Sequence, residues 1–195
     1  MIEKFLLQDY YEKISAFIPI YKPELGNATS LFLKDGTAVQ TLITTRTMLI
    51  RLAYCFAVDL KALRFQCSKS LNRKLNLPLP LRPDFTLIPL RVRQPKFSKD
   101  GANGYICLQD IAGVTELKEP PFRSAVILKS KVKIKSLSHP NTVLARIRDG
   151  EYLTSKYSWG GGGEIKSYGD LIPPQQLIAT IHEFLKLYNN WGKDV

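Results

Sequence analysis

The sequence predicts an α+β fold, in which antiparallel strands carry a helix at about residues 44–58 and a C-terminal helix follows a glycine hinge. Short apolar stretches bounded by Gly, Pro, Asn and Asp recur along the chain and indicate strands. Apolar residues at helical spacing in 48–56 and 177–188 indicate the two helices. Four consecutive glycines at 160–163 suit no regular element and indicate the hinge.

The first half of the chain is expected to contain a hairpin followed by helices. Asp35-Gly36 supplies the positive φ angles that a type I′ turn requires. Thr44 or Thr45 can cap the first long helix, because a threonine hydroxyl accepts from a free backbone N–H. The expected elements are a short helix or arm at 2–9, strands at 14–21, 30–33 and 37–42, the helix at 44–58 and a second short element at 60–75.

The second half is expected to add strands, one helix and the C-terminal helix. Pro89 lies inside a strand pattern at 85–92 and places that strand at an edge or a bulge. Ser138 and Pro140 suit the cap and first turn of a helix that runs through Ile147. The other expected elements are an extended segment at 77–81, a basic loop at 93–103, strands at 104–108 and 123–128, and the last helix opened by Pro173-Pro174.

Positive charge is concentrated in one stretch of the chain. Residues 44–99 carry twelve of the 28 lysines and arginines but only two of the seventeen acids, Asp59 and Asp84. Such a density of like charge is unfavourable unless a polyanion neutralises it, and nucleic acid is the commonest polyanion. An acidic protein, a membrane surface or a merely solvated surface are the alternatives. A second basic group follows, Lys129, Lys131, Lys133 and Lys135, which share one strand face unless Ser130 forms a turn.

Composition excludes several classes of protein. The longest apolar run is far shorter than the roughly 20 residues of a membrane helix, and Glu3 stands where a signal peptide would be basic. The three cysteines are far apart and form no C-x-x-C pair, so they indicate buried thiols in a reducing compartment. We therefore expect a cytoplasmic, nucleoid-associated protein that does not enter a membrane.

We expect the basic surface to bind A/T-rich duplex DNA, because arginine favours the narrow minor groove of A-tracts and lysine contacts phosphate. The C-terminal segment packs on the same domain or joins two subunits, so a homodimer or higher oligomer is the second expected partner. The predicted domains are 1–156 for DNA binding and 157–195 for the hinge and last helix. The predicted contacts are Arg46, Arg51, Arg64, Lys69, Arg73, Lys74, Arg91, Arg93, Lys96 and Lys99.

Two alternatives from other classes remain open at this point. Asp84, Glu116 and Lys118 have the letters of a PD-(D/E)xK metal-dependent nuclease, although 116–118 lies in a polar stretch that is more typical of a loop. An RNA-binding protein fits the charge equally well. The glycine run lacks the Lys-Ser/Thr of a P-loop, and His139 and His182 have no ligand-spaced neighbour. We therefore expect no enzyme, no catalytic or metal site, and no cofactor.

The order of these segments resembles the ComK family of competence transcription factors over about residues 11–150. Arg64 falls in the family's Gly-Ser-Ser-x-x-Gly-Arg stretch, and Ser136 and Arg146 match a later Ser…Gln…Arg pattern. The resemblance implies a bacterial activator of DNA-uptake genes that binds paired A/T-rich boxes through the minor groove as associated dimers. It also rests on Tyr11-Glu12, Ile18-Pro19, Leu33-Lys34-Asp35-Gly36, Leu77-Pro78-Leu79, Leu87-Ile88-Pro89 and Gly104-Tyr105-Ile106.

Overall fold

Two antiparallel sheets and three helices make up the described part of the computed structural model, which comprises residues 7–23, 25–97 and 100–157. The α+β class and the helix predicted at 44–58 are confirmed. The elements are β1 (Ile14–Lys22), β2 (Gly26–Leu33), β3 (Ala38–Thr41), α1 (Thr45–Cys55), α2 (Leu60–Leu71), β4 (Leu79–Arg82), β5 (Phe85–Arg91), β6 (Asn103–Cys107), β7 (Ile111–Glu119), β8 (Phe122–Leu128), β9 (Lys133–Ser136) and α3 (Pro140–Lys156).

The larger sheet has the strand order β3-β2-β1-β6-β5-β4 and is covered on both faces. Successive side chains of a strand point to opposite faces, so neighbours along the chain enter different cores. Phe17 and Leu87 join the core beneath α1 and α2. Ala16 and Ile88 join a second core, which is completed by the β7-β8-β9 sheet and by Val143 of α3. Burial on both faces explains why β5 is apolar along most of its length.

Side-chain caps begin both helices that follow the hairpin. The Thr44 hydroxyl accepts a hydrogen bond from the Thr47 amide at 3.2 Å, as the sequence indicated. Asp59 accepts from the amides of Lys61 and Ala62 and so begins α2. The helix ends at Asn72, which adopts a left-handed conformation with φ of 46°. These caps fix the ends of α2, which borders the candidate site.

The β2-β3 hairpin is present, but its turn differs from the predicted type I′ turn. Gly36 has φ of 91°, whereas Asp35 has no positive φ. The Gly36 amide donates to the Leu33 carbonyl, and the Leu33 amide donates to the Thr37 carbonyl. This is a three-residue loop, in which a tight turn is followed by one left-handed residue. A single glycine therefore suffices.

The strand β5 is an interior strand, and not the edge or bulge that Pro89 predicted. It pairs with β6 from residue 87 to residue 91, but with β4 only from residue 85 to residue 87. The Pro89 carbonyl accepts from Arg146 on the side where β4 has already ended. In an antiparallel strand the nitrogen of a residue faces the same side as its carbonyl, so Pro89 removes no ladder hydrogen bond.

Two segments differ from their predicted structures. Residues 116–118, expected in a loop, lie within β7. Lys129 and Ser130 form a turn, so Lys133 and Lys135 lie on β9 while Lys129 and Lys131 do not. Lys135 also pairs with Glu119 at 2.6 Å. The four lysines therefore do not share one strand face.

The glycine hinge, the predicted C-terminal helix and Lys99 lie outside the described residues. The proposed domain boundary near residue 157 consequently stays a prediction.

Cys67 and Cys107 are buried thiols, and burial raises their pKa values to about 11 and about 12. Both thiols are therefore protonated at neutral pH.

Candidate nucleic-acid interface

Two adjoining cavities form a groove at one end of the larger sheet. The first has a volume of about 800 Å³ and is named here the cationic cleft. The second has a volume of about 600 Å³ and is named the apolar pocket. Asn76 and Asn103 line both cavities, and the Asn103 amide donates to the Asn76 side-chain oxygen at 3.0 Å. The cleft and the pocket therefore adjoin at this pair, and together they are named the groove.

The cationic cleft draws its side chains from four different elements. Arg91 ends β5, Lys118 lies on β7, Arg123 on β8 and Arg146 on α3. The Arg146 guanidinium donates to the Pro89 carbonyl at 2.9 Å, which fixes the arginine against the exposed side of β5. The Arg91 carbonyl accepts from the Leu137 amide, which holds the β9–α3 connection against the same strand. These two hydrogen bonds hold α3 and the β9–α3 connection against the end of β5.

Arg146 is the most buried cation of the cleft. Burial lowers its pKa, the nearby charge of Arg73 lowers it further, and Asp149 opposes both effects. Asp149 also accepts from Arg73 at 2.9 Å. The Asp149 carboxylate therefore partly neutralises the charges of Arg73 and Arg146 at the wall of the groove.

The apolar pocket has a hydrophobic floor and a partly cationic rim. Leu77, Leu79, Pro89 and Tyr105 supply apolar surface, and the Tyr105 ring stacks on Phe17 with centroids 5.1 Å apart. Burial raises the pKa of the Tyr105 hydroxyl, and the neighbouring Arg64 opposes that rise. The rim carries Arg64, Phe65, Lys74 and Leu75.

Positive charge dominates the whole groove. Glu116 is the one carboxylate that lines it among the described residues. None of the six lining cations forms an ion pair within the described residues, whose salt bridges involve other lysines and arginines. The six cations are Arg64, Lys74, Arg91, Lys118, Arg123 and Arg146.

The structure brings together only part of the predicted contact set. Arg64, Lys74 and Arg91 line the groove, and Arg73 lies beside it, paired with Asp149. Three others are exposed on helices and line neither of the two cavities, namely Arg46 and Arg51 on α1 and Lys69 on α2.

Arg93 and Lys96 lie in the connection between β5 and β6 and both pack on Tyr21. The Arg93 guanidinium lies 4.0 Å from the ring centroid and donates to the Gly101 carbonyl and to Asn27. The Lys96 ammonium lies 4.8 Å from the same centroid. Arg93 therefore uses two of its donor groups, Nε and one terminal nitrogen, to hold the connection. Lys99, the tenth predicted contact, lies outside the described residues.

The residues of the nuclease pattern are not brought together. Asp84 precedes β5 and pairs with Arg82 at 2.5 Å, whereas Glu116 and Lys118 line the cleft at the other end of β5. The seven residues of β5 span roughly 20 Å at about 3.3 Å each. Within the described residues, no group of three or more His, Cys, Asp or Glu side chains could hold a metal ion.

Sequence reasoning did not assign Arg123 or Lys118 to the basic surface, and it noted Arg146 only through a family resemblance. All three lie outside the basic stretch at 44–99, and tertiary packing brings them to Arg91. The alternation of exposed Arg123 with buried Ser124 places that arginine on the outer face of a strand, which is the one local signal available.

Comparison with protein-family models, curated proteins and solved structures found no match to this chain. The resemblance to the ComK family stays a prediction that rests on the residues quoted above. None of the helices described here is both long and apolar enough to cross a membrane.

Proposed function

We propose that this protein is a DNA-binding transcriptional regulator whose groove holds the phosphate backbone of duplex DNA. The proposal rests on the six cations that line the groove, none of which forms an ion pair within the described residues. Duplex DNA carries one negative charge per about 1.7 Å of its axis, so a row of cations on one surface meets several phosphates at once.

The spread of the cations favours an extended polyanion over a single small anion. They come from α2, the connection after it, β5, β7, β8 and α3, and they line two adjoining cavities. A site for one phosphate would gather its donors around a single point. Here Arg64 and Lys74 line one cavity, and the other four cations line the adjoining one.

A/T-rich duplexes are the proposed targets, read through the minor groove. Arg91 and Arg123 are exposed, and arginine enters a narrow minor groove more readily than lysine because its guanidinium is weakly hydrated. The resemblance to ComK supports the same target and adds association of two or more copies on paired boxes. The sites regulated would be promoters that carry such boxes.

Charge reversal in the groove tests this function. Arg91→Glu combined with Arg123→Glu should weaken binding to an A/T-rich duplex at least about tenfold at 0.1 M salt, because it replaces two attractions by two repulsions. Fluorescence anisotropy with a labelled duplex measures the affinity, and circular dichroism confirms folding.

The matched control is Lys34→Glu combined with Lys129→Glu. Both lysines are exposed in turns at the opposite end of the larger sheet, where Gly36 approaches Ser130. An equal loss of affinity in both double variants would show that net charge alone governs binding and would refute the assignment of the groove. Competition by structured RNA at equal phosphate concentration would redirect the proposal to RNA.

A further inference from the structure

We infer that the apolar pocket receives an unpaired base of a DNA strand whose phosphates lie in the cationic cleft. The inference rests on the proposed function and extends it, because the apolar surface of the pocket is a site for a base, whereas the cations of the groove contact phosphates. It concerns one ligand, the base of a bulged, mismatched or locally melted position.

The pocket has room for a base and an apolar lining that suits one. Its volume of about 600 Å³ falls in the general range of ligand pockets. Leu77, Leu79 and Pro89 offer an apolar surface, and Tyr105 offers an aromatic face held in place by its stack on Phe17. A base removed from its own stack regains dispersion contacts on such a surface.

Phe65 supplies a second aromatic face at the rim. Its residue surface is 71% exposed, so the ring is accessible to a ligand at the mouth of the pocket. Leu63 and Cys67 anchor α2 in the core on either side of Phe65, so the ring is held on a fixed helix. Leu75, 74% exposed, lines the same pocket.

The charges around these apolar groups identify the occupant as a nucleic acid. Arg64 and Lys74 stand at the rim beside the exposed Phe65 and Leu75. A purely apolar partner gains nothing from these two cations, neither of which forms an ion pair within the described residues. A nucleotide presents both a π-face for the ring and a phosphate for the cations.

Asn76 and Asn103 stand where the pocket meets the cleft. A side-chain amide carries both a donor and an acceptor, the combination that pairs with the edge of a base. Each amide has unused hydrogen-bonding capacity beyond the 3.0 Å bond between them. A base in the pocket would therefore meet polar groups on the side that leads to its own phosphate.

The energy needed to unpair a base predicts which DNA the pocket prefers. Extruding a paired base costs a few kcal/mol, and the cost is smallest where the base is already unpaired. The pocket should therefore discriminate between duplexes that differ only in one unpaired adenine. The full-length protein is titrated with two otherwise identical duplexes, one fully paired and one with a single bulged 2-aminopurine, an adenine analogue whose fluorescence reports stacking.

We expect the bulged duplex to bind at least about fivefold more tightly than the paired duplex, with a change in 2-aminopurine emission on binding. Phe65→Ala should abolish this difference, and Phe65→Trp should retain it. Tyr54→Ala is the matched control, because Tyr54 is 82% exposed on α1 and lines neither cavity.

The outcomes separate this inference from the proposed function. Equal affinity of the wild-type protein for both duplexes overturns the base pocket and leaves DNA binding in place. Absence of binding to either duplex overturns the proposed function itself. Competition by adenosine monophosphate at the concentration at which the bulged duplex competes would show that the site takes a free nucleotide, and would also overturn the inference.

Discussion

Asp149 shows how one side chain can set the charge of the groove. Its carboxylate pairs with Arg73 at 2.9 Å and also attracts the charge of Arg146, which acts to raise the pKa of that arginine. Without it, two arginines near one another would carry uncompensated charge at the wall of the cleft. The residue therefore stabilises the fold at the expense of the positive potential that a polyanion would meet.

Replacing Asp149 with Asn should strengthen DNA binding while weakening the fold. We expect a two- to fivefold gain in affinity at low salt, and a loss of about 0.5–1 kcal/mol in the free energy of unfolding, since Asp149 and Arg73 are both partly exposed. Anisotropy titration and urea denaturation measure the two effects. Asp84→Asn is the control, because Asp84 pairs with Arg82 far from the cleft, and it should leave the affinity unchanged. A fall in affinity for the Asp149 variant would contradict this account.

The connection between β5 and β6 is ordered by a single acid, Asp100. Its carboxylate accepts from the Tyr21 hydroxyl at 2.5 Å, from Asn27 at 2.7 Å and from the Phe97 amide at 3.1 Å. These bonds, with Arg93 lying on the Tyr21 ring, hold Lys96 and Phe97 at the end of the sheet next to the groove. Hydrogen bonds to this carboxylate therefore hold the described part of the connection, in addition to the burial of Val92 in the second core.

The ordering of this connection should depend on pH in the acid range. The hydrogen bonds from Tyr21 and Asn27 lower the pKa of Asp100 below the ordinary value of 3.8. A lowered folded pKa means that the contribution of Asp100 to stability is complete above about 3.8, falls below it, and is lost once the pH drops through the folded pKa. An NMR titration of the Asp100 carboxyl carbon should give a midpoint below 3.8. Tyr21→Phe should raise this midpoint, and a wild-type midpoint above 3.8 would exclude the network.

Elements with their own local signals were predictable from the sequence, and elements defined by their neighbours were not. Thr44 begins α1 through a side-chain cap that the sequence displays. β7 is polar and mostly half-exposed, so it lacks the apolar alternation that identifies a strand, and its pairing with β8 alone defines it. Pro89 indicated an edge because the sequence does not show that β4 ends before it.

The same reasoning separates the predictable part of the groove from the rest. The basic stretch at 44–99 contains Arg64, Lys74 and Arg91, which do line the groove. Arg123 and Arg146 reach it through the packing of β8 and α3 against the larger sheet. Charge density along a sequence therefore indicates that a basic surface exists, whereas its members depend on which strands and helices become neighbours.

At the scale of the whole molecule, the proposed binding to DNA depends on charge, so a rise in salt concentration should lower the affinity by a predictable amount. The formal net charge of +11 attracts DNA from any direction, but only cations in contact with phosphates release counterions on binding. The number of such contacts, and not the net charge, sets the dependence of affinity on salt. Six cations line the groove, which bounds the number of contacts that it can make.

Six phosphate contacts predict a slope of about −5 for the logarithm of the binding constant against the logarithm of salt concentration, since each contact contributes about −0.9. Arg91→Gln should reduce the magnitude of that slope by about 1, because it removes one contact. Arg51→Gln removes the same charge from an exposed position on α1 outside both cavities, and it should leave the slope unchanged. Anisotropy titrations between 50 and 300 mM salt, roughly the range over which such slopes are linear, measure all three proteins. A slope near zero would remove the electrostatic basis of the proposal, and equal changes for the two variants would move the interface away from the groove.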